Sequence, residues 1–268
     1  MDLAQRHHLQ ILGQGPATLV LVHGFGCDQN MWRLLAPAFA QRYRVLLLDL
    51  VGSGRSDLSA YDPARYTSLN AYAADLAEVI TAYAEGPVVM VGHSVSAMIG
   101  VLIERMAPSL LHAHIMVGPS ACYLNDGDYR GGFSREDIDE LLSTLESNYL
   151  GWSSNMAPAI MGSPEQPELA EELTNSFCRT DPDIAAQFAR VTFLSDHRED
   201  AAHVRVPALI LQCSDDIIAP LTAGEFLARA MPGAKLVVID NVGHCPHLSA
   251  PDASARAMDA FLQEVLPP

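Results

Sequence analysis

Residues 88–100 read VVMVGHSVSAMIG, and this stretch decides the fold. Its first half is a run of apolar, mostly β-branched residues, which predicts a buried strand. Gly92 and Ser94 follow at the end of that strand, and a helical pattern begins directly after them. A serine on a sharp turn between a strand and a helix presents its hydroxyl at the edge of a sheet. We therefore predict Ser94 as a nucleophile, although Ser96 stands where glycine is more usual.

Runs of the same kind recur along the chain and predict an α/β protein. Helical patterns separate them, over residues 68–85, 96–106 and 252–266. Because the runs are continuously apolar, we expect a mostly parallel, doubly wound sheet whose strands are covered on both faces. Residues 7–13 alternate instead and predict an antiparallel edge strand. The predicted parallel strands lie within residues 17–24, 43–54, 86–94, 111–120, 206–216 and 234–244.

One region interrupts this alternation of strands and helices. Residues 121–196 contain helical patterns only, with Ser134 and Asp181 as predicted helix N-caps. A helical insertion between two strands of an open sheet is well placed to cover a site at the carboxyl ends of the strands. We predict that residues 1–120 and 197–268 form the core and that residues 121–196 form a helical lid.

The composition argues against several classes of function. Of 268 residues 49% are hydrophobic, and 32 acidic against 16 basic residues give a net charge of −16. Such a field repels nucleic acid and anionic membrane surfaces, so neither is an expected partner. The five cysteines are widely spaced, and residues 1–15 lack the apolar stretch of a secretory signal. We expect a cytoplasmic protein that uses no metal and no organic cofactor.

A serine hydroxyl needs a base, and the candidates follow the last two strand runs. His244 comes after the final run, and Asp215 and Asp216 come after the one before it. Serine, aspartate and histidine in this chain order form one of the known triad arrangements. Pro220, four residues after Asp216, is spaced as in many hydrolases of this kind, so we favour Asp216. Asp215 is then predicted to be a turn or capping residue.

The loop after the first parallel strand is the second half of the predicted site. A developing negative charge needs backbone N–H donors, and the residue after the nucleophile, Val95, supplies one of them. The loop HGFGCDQNMW, residues 23–32, supplies the other, with Phe25 as the expected donor. Gly24 and Gly26 permit a tight backbone path there.

Several residues near the predicted triad have plainer interpretations. We interpret His247 and Cys245 as structural groups. A zinc site formed by Cys245 with His244 and His247 has little weight, since closed sites need about four ligands. His93 is a packing residue or part of a pocket wall. The predicted substrate-binding residues are Phe25, His93, Trp152, Phe193 and Ile218.

These motifs resemble those of one superfamily. LVHGFGCDQNMW, VGHSVSAMIG, LILQCSDDIIAP and GHCPHLS look like α/β-hydrolase motifs, and nearly the whole chain shares the likeness. More narrowly, the chain is similar to bacterial regulatory hydrolases of the RsbQ type and to the plant strigolactone and karrikin receptors. Serine at position 96 is typical of this group. The resemblance implies a helical lid over an apolar pocket, and Ser94, Asp216 and His244 as a triad.

Two functions from different classes follow from this resemblance. The first is a serine hydrolase that cleaves a small hydrophobic ester, lactone or enol-ether-linked compound. The second is a ligand sensor with slow, single-turnover hydrolysis that acts through a protein partner, such as the PAS-domain phosphatase with which RsbQ works. A pseudoenzyme is disfavoured by the complete triad. Dehalogenases and epoxide hydrolases of this fold use an aspartate nucleophile, which Ser94 argues against.

Overall fold

A seven-stranded sheet forms the centre of the computed structural model, which describes residues 2–266. The strands lie in the order β1-β3-β2-β4-β5-β6-β7, with β1 antiparallel to β3 and the other pairs parallel. The mostly parallel sheet and the antiparallel edge strand are thereby confirmed. The strands are β1 (Gln10–Leu12), β2 (Thr18–Val22), β3 (Arg44–Leu48), β4 (Val88–His93), β5 (Ala113–Val117), β6 (Ala208–Asp215) and β7 (Ala234–Val242).

Helices connect the strands and cover both faces of the sheet. The α-helices are α1 (Leu3–Arg6), α2 (Ala36–Phe39), α3 (Leu69–Tyr83), α4 (Val95–Met106), α5 (Arg135–Ser147), α6 (Tyr149–Met161), α7 (Pro167–Arg179), α8 (Pro182–Phe193), α9 (Arg198–Ala201), α10 (Leu221–Ala230), α11 (Pro246–Ser249) and α12 (Pro251–Val265). Two short 3₁₀ helices span Gln29–Trp32 and Leu58–Ala60. No helix between residues 2 and 266 is both long and apolar enough to cross a membrane.

The sheet separates two hydrophobic layers. On one face, α3, α4 and α10 contribute buried residues such as Leu76, Ile99 and Leu227. On the other face, α2 and α12 contribute Phe39 and Phe261. Strands β2, β4 and β5 are buried along their whole length, as their continuous apolar runs predict. This two-sided covering is the doubly wound arrangement, and it fixes the carboxyl ends of the parallel strands at one edge.

Strand β7 differs from the prediction that all of these runs are covered on both faces. Val237, Val238 and Val242 in β7 are exposed. The reason is topological, because β7 is the last strand of the sheet and has a neighbour, β6, on one side only. A hydrophobic run at a sheet edge looks the same in sequence as one at the centre, so the prediction was wrong for this strand.

Four helices, α5 to α8, fill most of the predicted insertion between β5 and β6. The Ser134 hydroxyl accepts from the N–H of Asp137 at the start of α5, and the Asp181 side chain accepts from the first N–H groups of α8. Both predicted N-caps are confirmed. Apolar residues of these helices form a third buried cluster, together with Cys27 and Met31 of the core. The division of the chain into core and lid at residues 121 and 196 stays a prediction.

Candidate active site

Ser94 lies on a strained turn between β4 and α4. Its backbone has φ 55° and ψ −124°, a conformation that costs a non-glycine residue about 1–3 kcal/mol. The turn is tight enough that a Cβ at Gly92 would lie 2.6 Å from the carbonyl group of Ser96. Glycine at position 92 is therefore required by the close approach of helix and strand. The side chain of Ser94 projects beyond the end of the sheet on this bend.

Three predicted side chains form one chain of hydrogen bonds. The Nε2 atom of His244 lies 2.8 Å from the Ser94 hydroxyl, and its Nδ1 atom lies 2.7 Å from Oδ2 of Asp216. A carboxylate can only accept, so Nδ1 carries the proton and Nε2 presents a lone pair to the hydroxyl. All three residues are buried. The arrangement can take the proton of Ser94 and stabilise the imidazolium that forms.

The second carboxylate oxygen of Asp216 is also bound. Oδ1 accepts from the N–H groups of Ile218 and Ala219, at 2.8 and 3.1 Å. Two backbone donors hold the carboxylate in one orientation. Asp215 is instead the last residue of β6, with its side chain exposed, so its prediction as a turn or capping residue was wrong.

The backbone of His244 is fixed from two sides. Its N–H donates to the carbonyl of Ile160 at the end of α6, at 2.8 Å. Its carbonyl accepts from Nε2 of His93 at 3.0 Å. Burial lowers the pKa of His93 well below its usual range, so the ring stays neutral. His93 thus helps to hold the backbone of His244 in place, and it also lines the cavity.

The loop after β2 holds one peptide group in a defined direction. Nε2 of His23 accepts from the N–H of Leu50 at 3.0 Å, so Nδ1 carries the proton and donates to the carbonyl of Gly24 at 2.8 Å. The N–H of Phe25 belongs to the same peptide group and points the opposite way, because the bond is trans. Within residues 2–266 neither this N–H nor that of Val95 has a hydrogen-bond partner. Both are free to bind an oxyanion.

Ser96 takes part in the same arrangement. Its hydroxyl is fully buried and donates to the carbonyl of His23 at 2.5 Å. The serine therefore fits where glycine is usual, and it links α4 to the loop that carries Phe25. A glycine at this position would leave that carbonyl without this donor.

An apolar cavity opens above the Ser94 hydroxyl. All five predicted substrate-binding residues lie in its wall, and their roles stay predictions. The ring of Phe25 lies 6.1 Å from that of Trp152 and 6.2 Å from that of Phe193. The lining consists of Phe25, Cys27, His93, Ser94, Tyr123, Leu141, Trp152, Ile160, Leu173, Phe177, Thr192, Phe193, Ile218, His244 and Cys245.

Tyr123 is a cavity residue that the sequence interpretation missed. Its hydroxyl lies 3.4 Å from that of Ser94, and burial raises the pKa of the phenol. A signal existed, since Tyr123 closely follows β5 at the same edge of the sheet. For Leu141, Leu173 and Phe177 no comparable signal exists, because apolar helix residues that face a cavity look like those that face a core.

A group of three donors lies behind the triad. Ligand atoms of His93, Cys245 and His247 are within 4.8 Å of one another. Burial lowers the pKa of His247 to about 3 and raises that of Cys245, so the group is uncharged, and His247 packs against the ring of Trp32 at 4.7 Å. A closed zinc site needs about four ligands, and these three supply no fourth. We interpret these three residues as buried side chains that pack behind the triad.

Comparison with known proteins agrees with this geometry. Residues 19–257 match the model of a family described as "Alpha/beta hydrolase family". The chain belongs to the alpha/beta hydrolase family. The match covers β3 to β7 and all of β2 except its first residue, and it includes all three residues of the hydrogen-bonded chain.

Within the family, the chain is similar to a receptor and an esterase of plants and to a solved hydrolase. It is 38% identical over 249 residues to karrikin insensitive 2 receptor CA of Petunia hybrida, covering 92% of each chain. It is 37% identical over 267 residues to strigolactone esterase D14 of Arabidopsis thaliana, covering 99% of this chain and 98% of the relative. A solved hydrolase of Oleispira antarctica is 38% identical with a TM-score of 0.93, over 98% of this chain and 96% of that one. The resemblance to strigolactone and karrikin receptors is confirmed.

Proposed function

We propose that this protein is a serine hydrolase that cleaves small hydrophobic esters, lactones or enol-ether-linked compounds. One observation supports this most directly. The Ser94 hydroxyl is hydrogen-bonded to His244, His244 is hydrogen-bonded to Asp216, and the hydroxyl faces an apolar cavity. A nucleophile with its base and the base's orienting carboxylate is the pattern that covalent catalysis requires.

The reaction follows from the positions of these groups. The Ser94 oxygen attacks the carbonyl carbon of the substrate while His244 Nε2 takes its proton. The carbonyl oxygen becomes negatively charged and binds the N–H groups of Phe25 and Val95. His244 then gives its proton to the leaving alcohol, and an acyl group remains on Ser94. Water, activated by the same imidazole, attacks this acyl group and restores the free serine.

The cavity wall argues for the substrate class. Aromatic and aliphatic side chains dominate it, so the body of the substrate is apolar. No lysine or arginine lines the cavity within the described residues, so nothing there would pair with a carboxylate or phosphate on the substrate. The relative from Arabidopsis is named a strigolactone esterase, which agrees with an ester or lactone substrate.

A rapid-mixing time course tests this function. p-Nitrophenyl butyrate is mixed with the protein, released nitrophenol is followed, and intact mass is read at each time. We expect nitrophenol release from the wild type, with any butyryl mass carried by Ser94, and neither signal from Ser94→Ala. Release that persists unchanged in Ser94→Ala would show that another group is the nucleophile.

A ligand sensor is the second candidate, and one contact favours it. The carbonyl of Ile160 at the end of α6 accepts from the N–H of His244, so a helix over the cavity is bonded directly to the loop that carries the base. A shift of the His244 backbone can therefore displace the end of α6 through this hydrogen bond. In this case the protein would act through a regulatory partner, such as a PAS-domain phosphatase, in the cytoplasm.

The same time course separates the two candidates. Continuous turnover with little accumulated acyl-enzyme supports a metabolic esterase. A stoichiometric burst followed by near-arrest, with the added mass on Ser94, supports the sensor. The chain carries a formal net charge of −16, which favours a partner with a basic contact face.

A further inference from the structure

Thr192 is a buried cavity residue whose hydroxyl has no partner. It lies in α8 next to Phe193, it is 1% exposed, and it forms part of the wall of the active-site cavity. Among residues 2–266, its Oγ1 is the one serine or threonine hydroxyl that is sealed from solvent and has no hydrogen bond. A buried hydroxyl without a partner costs about 1–3 kcal/mol. Among the described residues, the hydroxyls of Tyr61 and Tyr72 are also buried without a partner, but they lie outside the cavity wall.

Other helical hydroxyls of this protein do find partners. Ser153 donates to the carbonyl of Tyr149 at 2.8 Å, one turn earlier in the same helix. Thr174 donates in the same way to Ala170 at 2.9 Å. The Thr192 hydroxyl could likewise donate to the backbone carbonyl one turn earlier in α8, as threonine in a helix often does, but it does not form this hydrogen bond.

The surroundings of Thr192 offer little for a trapped water molecule. Apart from the reacting groups, Tyr123, His93 and the indole N–H of Trp152, the cavity wall is made of apolar side chains and cysteines. A buried water needs two to four polar partners, and Phe193, the other α8 residue of the wall, supplies none. An atom of a bound ligand is therefore the natural partner for this hydroxyl.

We propose that Thr192 is a specificity-determining residue that binds a polar atom in the body of the substrate. The substrate is then an apolar ester or lactone that carries one further hydrogen-bonding group, such as an ether, carbonyl or hydroxyl oxygen, away from the bond that is cleaved. A threonine hydroxyl can donate to or accept from such a group. This inference rests on the proposed hydrolase function and narrows its substrate class.

A panel of matched esters tests the inference. p-Nitrophenyl hexanoate is compared with its 3-oxa, 4-oxa and 5-oxa analogues, in which one methylene of the acyl chain is an ether oxygen. For each analogue, kcat/KM is divided by that of the hexanoate, in the wild type and in Thr192→Val, which keeps the shape of the side chain. Dividing the wild-type ratio by the variant ratio cancels the intrinsic reactivity of each ester.

We expect this double ratio to reach about three- to tenfold for at least one analogue, the size of one hydrogen bond. Thr174→Val is the matched control, because it removes a helical hydroxyl outside the cavity, and its double ratio should be near one. If the double ratio for Thr192→Val lies within twofold of one with all three oxa esters, the proposal is overturned. If the wild type cleaves none of the four esters, the hydrolase function itself fails.

The melting temperature adds a second readout. Removing an unpaired buried hydroxyl without changing shape should leave Thr192→Val at least as stable as the wild type in the absence of ligand. A melting temperature lowered by more than about 3 °C would overturn the proposal, because it would show that the hydroxyl is already bonded in the free protein.

Discussion

Ser96 connects the helix behind the nucleophile to the loop that carries the Phe25 amide. Its hydroxyl is bonded to the carbonyl of His23, and the His23 ring is bonded to the carbonyl of Gly24. Together these two bonds fix the peptide whose N–H faces the cavity. If the Phe25 amide binds the oxyanion as proposed, Ser96 helps to orient this amide, a role that glycine could not fill.

We expect Ser96→Ala to lower kcat for p-nitrophenyl butyrate about three- to tenfold and to change KM by less than twofold, because the amide acts mainly on the transition state. Thr18→Val is a matched control. Thr18 also donates a buried hydrogen bond to a carbonyl, that of Glu85 at 2.6 Å, but at the opposite end of β2. A larger loss of kcat in Thr18→Val than in Ser96→Ala would contradict this role.

Two neighbouring aspartates provide a sharp test of the triad. Asp216 accepts a hydrogen bond from Nδ1 of His244, whereas the side chain of Asp215 is exposed at the end of β6. We expect Asp216→Asn to lower kcat by about a thousandfold or more, since an amide does not hold the imidazole in the required tautomer. Asp215→Asn should remain within about threefold of the wild type. If steady-state assays show a larger loss of kcat in Asp215→Asn than in Asp216→Asn, Asp215 would be the carboxylate of the triad.

At this scale the sequence was informative where a residue follows a strand. Ser94, Asp216 and His244 each come directly after a hydrophobic run, and parallel strands bring their carboxyl ends together. Thr192 had no such signal, because it sits within a helix among apolar residues. Its significance depends on which side of α8 faces the cavity and on the lack of a hydrogen-bond partner, and both are properties of the folded structure.

At the scale of elements, helix α7 is tied to the core by charged side chains. Glu172 in α7 pairs with Arg33 at 2.5 Å and accepts from Asn30 at 3.1 Å. Arg179 at the end of α7 pairs with Asp28 at 3.2 Å. Burial raises the pKa of Glu172. These contacts join one helix over the cavity to the 3₁₀ helix that follows the Phe25 loop.

We expect Glu172→Gln to loosen α7 selectively. A partly exposed ion pair contributes up to about 1 kcal/mol, so amide hydrogen exchange over residues 167–179 should rise up to about fivefold. Glu264→Gln is the control, because it breaks an ion pair with Lys235 on the far side of the core. Unchanged exchange in α7, or an equal rise in both variants, would mean that the pair does not hold the helix.

The boundaries of elements could be predicted best where local chemistry defines them. Ser134 and Asp181 indicated the starts of α5 and α8 because a capping side chain bonds to the first N–H groups of a helix. The exposure of β7 could not be predicted, since the order of strands decides which run lies at the edge. The packing of α6 against the His244 loop is likewise a matter of tertiary contact.

For the molecule as a whole, buried histidines couple stability to pH. His114 lies in β5 and His247 in α11, and both are fully buried. Burial lowers the pKa of each to about 3, and it lowers that of His93 as well. These rings are neutral in the folded protein near pH 5, whereas in the unfolded chain they gain a proton below about pH 6.5. The unfolded state therefore binds more protons, and the folded state loses stability as the pH falls from about 6.5 towards 3.

His114 offers the cleanest test of this coupling, because it lies away from the active site, beneath Gly100 of α4. One proton taken up on unfolding corresponds to about 1.4 kcal/mol per pH unit. We expect His114→Gln to reduce the slope of unfolding free energy against pH by about this amount between pH 6 and 4.5, as measured by urea denaturation. The variant is less stable than the wild type at pH 7 because it disturbs packing, so the slope is the informative quantity. Equal slopes for the two proteins would show that His114 is not the residue that takes up a proton.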